Sequence, residues 1–463
     1  MGRRRLRRSE ACSRAGLSAM FCLVPGIFLF CHALHAQAAG PGAAGPQGSP
    51  ALTITFDDAL SRARANEPEF HAALAAYGVA RENLVQSRSR MLPNVNFTSS
   101  FIFTQGDGAG FPRFIANNGV HEYLNLGNAH QELSWQMVAE YKGARAIEAL
   151  ARAQSEIAAR GLSVAVTRAY YGMVVGQRKY AIAQRAAGEA QNFSDITEKL
   201  EKGGEVAHSD TIKAQLELSQ QQRGLADARL EMERSRLELA VLIFPNFNEN
   251  FSSVDDLDNL SALPSYQEVE TLAGNRNPQL RAAIAGVEAA NQQVAVAWAS
   301  FLPKLSLDYF YGIDANQFAI HGVNETITPP HPVRNLGYSA VATLEIPVWN
   351  WGASRSKVRG AELERDQART ELSFAQRKLA AELRNFYNEA QTSRAQLESL
   401  RQSTELAAES LRLTTLRYQA GEATVLEVVD AQNTLTAAQN QLGDGQVRYR
   451  VALAELETLT GRF

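Results

Sequence analysis

The stretch Arg417-Tyr-Gln-Ala-Gly-Glu-Ala-Thr424, followed by Val425-Leu-Glu-Val-Val-Asp-Ala-Gln432, decides how this chain folds. Before it, from about Gly352, a helical pattern runs without a proline; after it another runs almost to Phe463. Two long helices therefore meet at one hinge. A second copy stands upstream at Gly203-Gly-Glu-Val-Ala-His-Ser-Asp210, and its neighbours align with the later one: Ala214-Gln215 with Ala431-Gln432, Leu218 with Leu435, Leu242 with Leu459.

Outward from the hinge the apolar and small residues step by three and four. One row reads Leu372, Ala375, Leu379, Leu383, Phe386, Ala390, Ser393, Leu397, Leu400, Thr404, Ala407, Leu411, Thr414, Tyr418 and resumes at Val428, Ala431, Leu435, Ala438, Leu442, Gly445, Tyr449, Ala452, Leu456, Leu459. The first copy keeps the register through Thr211, Ala214, Leu218, Gln221, Leu225, Ala228, Met232, Ser235, Leu239 and Leu242. This is a heptad seam. Small residues alternate with Leu along it, which permits close helix approach and suits a wall of many helices better than a solid two-stranded core.

The duplication extends further upstream. Asn66-Glu-Pro68 matches Asn277-Pro278, and Met91-Leu-Pro93 matches Phe301-Leu-Pro303, each displaced by 210 positions. An alanine-rich amphipathic helix lies between each pair, and after the second proline the period switches from helix to strand. Val95, Phe97, Phe101 and Phe103 alternate with Asn94, Asn96, Thr98 and Ser100; Leu305, Leu307, Tyr309 and Tyr311 alternate with Lys304, Ser306 and Asp308. Loops are expected at Gly106 to Gly119 and Asp314 to Asn335, with returning strands at Leu133, Trp135 and Met137 in the first half and Tyr338 to Ile346 in the second. Residues 245–265, with Pro245 and Pro264 at its ends, read as a loop-rich connector on the outside of the assembly and not as a core element.

Each strand approaches the roughly 9 to 11 residues that a tilted strand needs to cross a bilayer, and the aromatics Phe97, Phe101, Phe103, Tyr309, Tyr338, Trp349 and Trp351 suit membrane interfaces. Alternation alone equally fits an ordinary half-buried sheet. Four strands cannot close a transmembrane barrel, and open sheet edges do not occur in lipid. Strands in a membrane therefore demand that several chains share one barrel, two giving eight strands and three giving twelve.

The N-terminus carries Arg3, Arg4, Arg5, Arg7 and Arg8, then an apolar stretch around Met20 and Ile27, then Ala36-Gln-Ala38, the pattern of a secretory signal peptide cleaved after Ala38. Phe30 before Cys31 argues against lipidation, and the residues after Arg7-Arg8 do not complete a twin-arginine signal, which leaves the general export route. Cleavage removes Cys12, Cys22 and Cys31 and takes the formal net charge from −3 to −8, since six arginines and one glutamate leave with the signal. Disulfides and thiolate chemistry are thereby excluded, and an acidic exported chain is no candidate for nucleic-acid binding. No nucleophile elbow, phosphate loop or His-Glu-x-x-His cluster occurs, and the histidines are scattered, so no catalytic residue, metal site or cofactor is expected. The organisation expected is signal peptide 1–38, flexible leader 39–50, first repeat 51–244, connector 245–265 and second repeat 266–463.

With Tyr418-x-x-Gly421 and Glu427-Val-Val-Asp430-Ala-Gln432 in view, together with the duplicated helix, strand, strand, long helix, helix unit, the chain resembles the TolC-like outer-membrane efflux proteins of Gram-negative bacteria. The resemblance covers essentially the whole mature chain. It implies a mainly α fold with a β-barrel portion: three copies would form a twelve-stranded outer-membrane barrel continued into a twelve-helix periplasmic tunnel. It also implies a passive exit duct, not an enzyme, with a homotrimer, a periplasmic adaptor, an inner-membrane pump and outer-membrane lipid as partners. Glu427 and Asp430 match positions that line the tip constriction in that family, and their i, i+3 spacing places both carboxylates on one helix face, where a ring of like charges would raise each other's pKa. Tyr418 and Asp210 match a pair that holds the entrance shut, and Ser209 matches a hydroxyl that accepts from an arginine; Ala423 stands where that arginine would be. Gly203, Gly204, Ala420 and Gly421 would form the adaptor-docking tips. A periplasmic coiled-coil adaptor or structural protein is the alternative, with an enzyme behind it, and the strands distinguish the adaptor from the duct.

Overall fold

The structure is a computed structural model that describes residues 52–104, 121–246, 250–259, 261–324, 329 and 331–461. The signal segment, the leader and the Gly106 to Gly119 loop lie outside those residues. The element order is β1 (Leu52–Ile54), α1 (Phe56–Asn66), α2 (Pro68–Ser89), β2 (Asn94–Phe103), β3 (His121–Leu133), α3 (Trp135–Lys202), α4 (His208–Ile243), β4 (Phe251–Ser253), α5 (Tyr266–Arg276), α6 (Pro278–Ala299), β5 (Lys304–Ala315), β6 (His321–Asn324), β7 (His331–Arg334), β8 (Leu336–Glu345), α7 (Ala353–Gln419) and α8 (Val425–Thr460). The duplication is visible in lengths: α1 and α5 have 11 residues each, α2 and α6 have 22, α4 and α8 have 36, and α3 and α7 have 68 and 67. At 1.5 Å per residue, α3 and α7 each reach about 100 Å.

Local chemistry sets the boundaries. Pro68 and Pro278 sit at the first positions of α2 and α6, where no amide donor is needed. Ser134 caps α3 by accepting from the Met137 amide at 3.3 Å, so Trp135 begins a helix. The expected strand at Leu133 to Met137 is thereby corrected: the returning strand is β3, which ends at Leu133, and its Gly127, Asn125 and Asn128 had masked the alternation. The expected loop at Asp314 to Asn335 is corrected too, since β5 extends to Ala315 and a hairpin of β6 and β7 occupies part of it.

β2, β3, β5 and β8 form one antiparallel sheet in that order. The register puts Val95, Ala129, Tyr309 and Ala340 in one cross-strand row and Phe97, Gly127, Tyr311 and Tyr338 in another, all on one apolar face. Asn94, His130 and Asp308 share the opposite face, where His130 Nδ1 lies 2.8 Å from Asp308 Oδ1 and Lys304 pairs with Glu345 at 3.4 Å. Gly312 is required by the close approach of β3, because a Cβ there would lie 1.9 Å from the Asn125 carbonyl oxygen. Among the described residues β2 and β8 each have one neighbour, so both edges of the sheet are open there. The apolar face is bare as well: Phe97 is 73% and Tyr338 75% exposed.

Below the sheet, α7 packs along α8 and α3 along α4, with α3 also against α8. Every residue of the seam read from the sequence is buried or half-buried. Close approach is literal at Gly445, where a Cβ would stand 2.8 Å from Leu400 Cδ1. The connector departs from expectation. β4 pairs in parallel with β1, and Phe251 and Leu257 are buried in a cluster with Ile54, Tyr170 and Ile243. Buried polar groups fix it: the Tyr170 hydroxyl donates to the Val254 carbonyl at 2.8 Å, Tyr449 to that of Ser261 at 2.7 Å, and Arg178 binds Asp255 and Asp258. A loop-rich composition concealed a strapped core element.

Candidate functional site: the paired helical tips

Both hairpin turns are built the same way. α7 closes with the Gly421 amide donating to the Tyr418 carbonyl at 3.0 Å and that of Glu422 to Arg417 at 2.9 Å; α3 closes with Gly204 to Glu201 at 2.8 Å and Glu205 to Leu200 at 2.9 Å. This pair of bonds is the Schellman motif, whose left-handed residue suits glycine, and Gly421 and Gly204 have φ of 78° and 77°. Gly203 and Ala420 are the preceding C-cap residues in ordinary helical geometry.

The helices that leave the turns begin differently. Thr424 caps α8 in a reciprocal box: its hydroxyl oxygen accepts from the Glu427 amide at 3.3 Å, and Glu427 Oε1 accepts from the Thr424 amide at 3.1 Å. Arg417 reaches back from α7, donating to the Glu422 carbonyl at 3.1 Å and lying 3.6 Å from Glu427 Oε2. Bonds from the Thr424 amide and hydroxyl, aided by the Arg417 charge, hold the Glu427 carboxyl below the usual carboxylate range. Within one chain the shift is downward because Glu427 is the third residue of the helix and curls onto its own cap; the raised values expected of a ring of like charges concern several copies. Asp430 is exposed one turn further on.

Ala207 caps α4 without a side-chain bond. Asp210, the counterpart of Glu427, pairs instead with Lys213 at 3.1 Å, and Ser209 is exposed. His208 Nδ1 lies 2.7 Å from Glu201 Oε1, and the nearby Thr211 hydroxyl together with His208 lowers the Glu201 pKa.

Tyr418 is the buried centre of the site. Its ring lies 5.1 Å from that of Phe193 and packs with Ala214, Val425 and Val428; its hydroxyl is 3.3 Å from Thr197 Oγ1. Within one chain the phenol is therefore engaged by α3 and makes no hydrogen bond to Asp210. Sequence reading missed Phe193, Thr197, Thr424 and Arg417. The Thr424-x-x-Glu427 spacing is a capping-box signature that could have been read; the α3 partners carry no local signal. Just below the tip, Gln221 donates to buried Glu217 at 2.6 Å and to Asn433 at 3.0 Å, joining α4 to α8.

A model of the family described as outer membrane efflux protein matches residues 59–243 and 271–462. The chain belongs to the outer membrane efflux protein family. Among curated members of this family, it is 24% identical to outer membrane protein TolC of Vibrio cholerae over 87% of this chain and 89% of that one. It is 21% identical to the alkaline protease secretion protein AprF of Pseudomonas aeruginosa over 89% and 85%. The fold is that of the CmeC outer membrane channel of Campylobacter jejuni, with a TM-score of 0.75 at 17% identity over 88% of this chain and 85% of that one. As a member of the efflux family this chain is an outer-membrane efflux or secretion channel, a transport protein and not an enzyme. No helix among the described residues is long and apolar enough to cross a membrane.

Proposed function

We propose that three copies assemble into one passive exit duct: a twelve-stranded barrel in the outer membrane, continued by a twelve-helix tunnel in the periplasm. The observation that carries this reading is the open four-stranded sheet with an apolar exposed face and a polar opposite face. Lipid tolerates no unpaired sheet edge, so the β2 edge of one copy pairs with the β8 edge of the next, and the polar face with His130 and Asp308 lines the lumen. A periplasmic coiled-coil adaptor, the rival reading, gives no account of such a sheet.

In this duct six tips, three from each repeat, face an inner-membrane pump through a periplasmic adaptor that engages Gly203, Gly204, Ala420 and Gly421. Glu427 and Asp430 from three copies form the acidic constriction that favours cations, and Tyr418 with Asp210 and Ser209 holds it closed. Tyr418 acts through the tip core it fills, and with Ala423 in place of an arginine the lock lacks one charge-assisted bond. The repeats at 51–244 and 266–463 and the connector at 245–265 are the functional segments, and export by a signal cleaved after Ala38 delivers the chain. The test is extraction from outer membranes. Detergent-dependent, heat-modifiable trimers that conduct in planar bilayers support the duct, and a water-soluble product opposes it. Single-channel conductance that is unchanged in both Ala423→Arg and Tyr418→Phe would sink the lock.

A further inference from the structure

Every tryptophan of the chain lies where sheet and helices meet. Trp135 opens α3 after β3, Trp298 is in the last turn of α6 before β5, and Trp349 and Trp351 lie between β8 and α7. The last two are the barest, 76% and 90% exposed, and their rings meet edge to face at 5.8 Å. Trp351 has φ of +55°, the one non-glycine residue at positive φ among those described. A bulky side chain adopts that conformation only under constraint, and here the result is an indole held clear of the protein. Leu344, Ile346 and Val348 beside them are exposed as well.

The first turns of α7 bury Ser354 and Val358 and leave Arg355 and Arg359 exposed, one turn apart on one flank; Lys357 is exposed on the other flank. Neither arginine has an ion-pair or hydrogen-bond partner among the described residues, and the first turn of α7 contains no acid. Cations near a helix start do not serve the helix, whose dipole favours acids there. Their charge is unspent.

We propose that Trp349, Trp351, Arg355 and Arg359 form a docking surface for anionic phospholipids of the periplasmic leaflet. The occupant follows from two features. The surface continues the apolar face of the sheet at the level where lipid ends, and its charge complements a phosphodiester. Indole rings settle at headgroup depth, and guanidinium groups bind phosphate oxygens in a bidentate manner that lysine does not reproduce. The inference rests on the reading that the β2-β3-β5-β8 sheet meets lipid.

The experiment uses the full mature channel in neutral detergent, titrated with headgroup-labelled phosphatidylglycerol. Arg355→Gln with Arg359→Gln weakens binding at least about tenfold, while Lys357→Gln leaves it within about twofold, and neither phosphatidylcholine nor inorganic phosphate displaces the probe. Trp349→Phe with Trp351→Phe diminishes the fluorescence quenching produced by phosphatidylglycerol brominated near its headgroup, leaving the share that falls on Trp135 and Trp298. Binding unchanged in the double arginine variant, an equal loss in Lys357→Gln, displacement by phosphatidylcholine or phosphate, or undiminished quenching in the double tryptophan variant overturns the proposal. Failure of the duct reading shows differently, as wild-type protein that forms no conducting pore whatever its lipid binding.

Discussion

The two tips of this chain share a backbone and differ in what seals it. Position by position, 217 residues apart, Gly204 corresponds to Gly421, but Glu201 corresponds to Tyr418, Ala207 to Thr424 and Asp210 to Glu427. The α7–α8 tip has a buried phenol, a reciprocal cap and an arginine folded over the turn. The α3–α4 tip has no side-chain cap and a polar pair in which an exposed His208 meets a half-buried Glu201. Duplication preserved the turn and let the locks diverge: one hairpin supplies the buried phenol and the reciprocal cap, and the other, beyond the Phe193 and Ala214 that it adds to the same core, is held by surface contacts of little worth. The start of α4 is therefore the part of the paired tips that opens first.

The largest effect that tests this asymmetry is Tyr418→Ala. It empties the tip core beside Phe193 and Val428 and lowers the local opening free energy by about 3 kcal/mol, read as faster amide exchange in residues 411–432. At the matching position, Glu201→Ala speeds exchange of the α3–α4 tip by much less, because the half-buried carboxylate pairs with the exposed His208 and fills no core. Equal effects at the two sites would break the comparison. Gly421→Ala and Gly204→Ala come next, each costing about 1 kcal/mol through the left-handed backbone, and here the two tips respond alike because their turns are the same.

How much of this was legible depends on where the partners lie in the chain. The hinge, the seam and the 210-residue displacement are periodic, and the apolar face of the sheet rests on alternation, so local pattern sufficed for β2, β5, β8 and the long helices. β3 escaped because glycine and asparagine interrupt its apolar residues, and Glu132 to Met137 mimicked a strand across a helix start. The connector escaped because its order comes from Tyr170, Arg178 and Tyr449, remote in sequence. In the site, the i, i+3 spacing of Glu427 and Asp430 was visible, but a shared face does not reveal that Glu427 is held by its own cap. The pairing of Tyr418 with Thr197 spans 221 positions and leaves no trace in either segment.

The smallest expected effects concern the caps and carry the pH dependence. Thr424→Ala costs about 1 kcal/mol of α8 stability, and Ala207→Thr, which gives Asp210 a hydroxyl partner three residues away, adds up to about 1 kcal/mol at the start of α4. Glu427 has its folded pKa depressed by the Thr424 amide first, then by its hydroxyl and by Arg417. The stabilisation it provides is complete above the unfolded carboxylate value, about 4.3, and is lost as pH falls through the lower folded value. Amide exchange at the start of α8, corrected for its intrinsic rate, therefore stays slow on acidification until below the ordinary carboxylate range. Glu427→Gln removes that dependence, and in Ala207→Thr the start of α4 acquires a matching one from Asp210. An α4 start that gains protection without any acid dependence would show that the hydroxyl alone, and not the reciprocal box, separates the two tips.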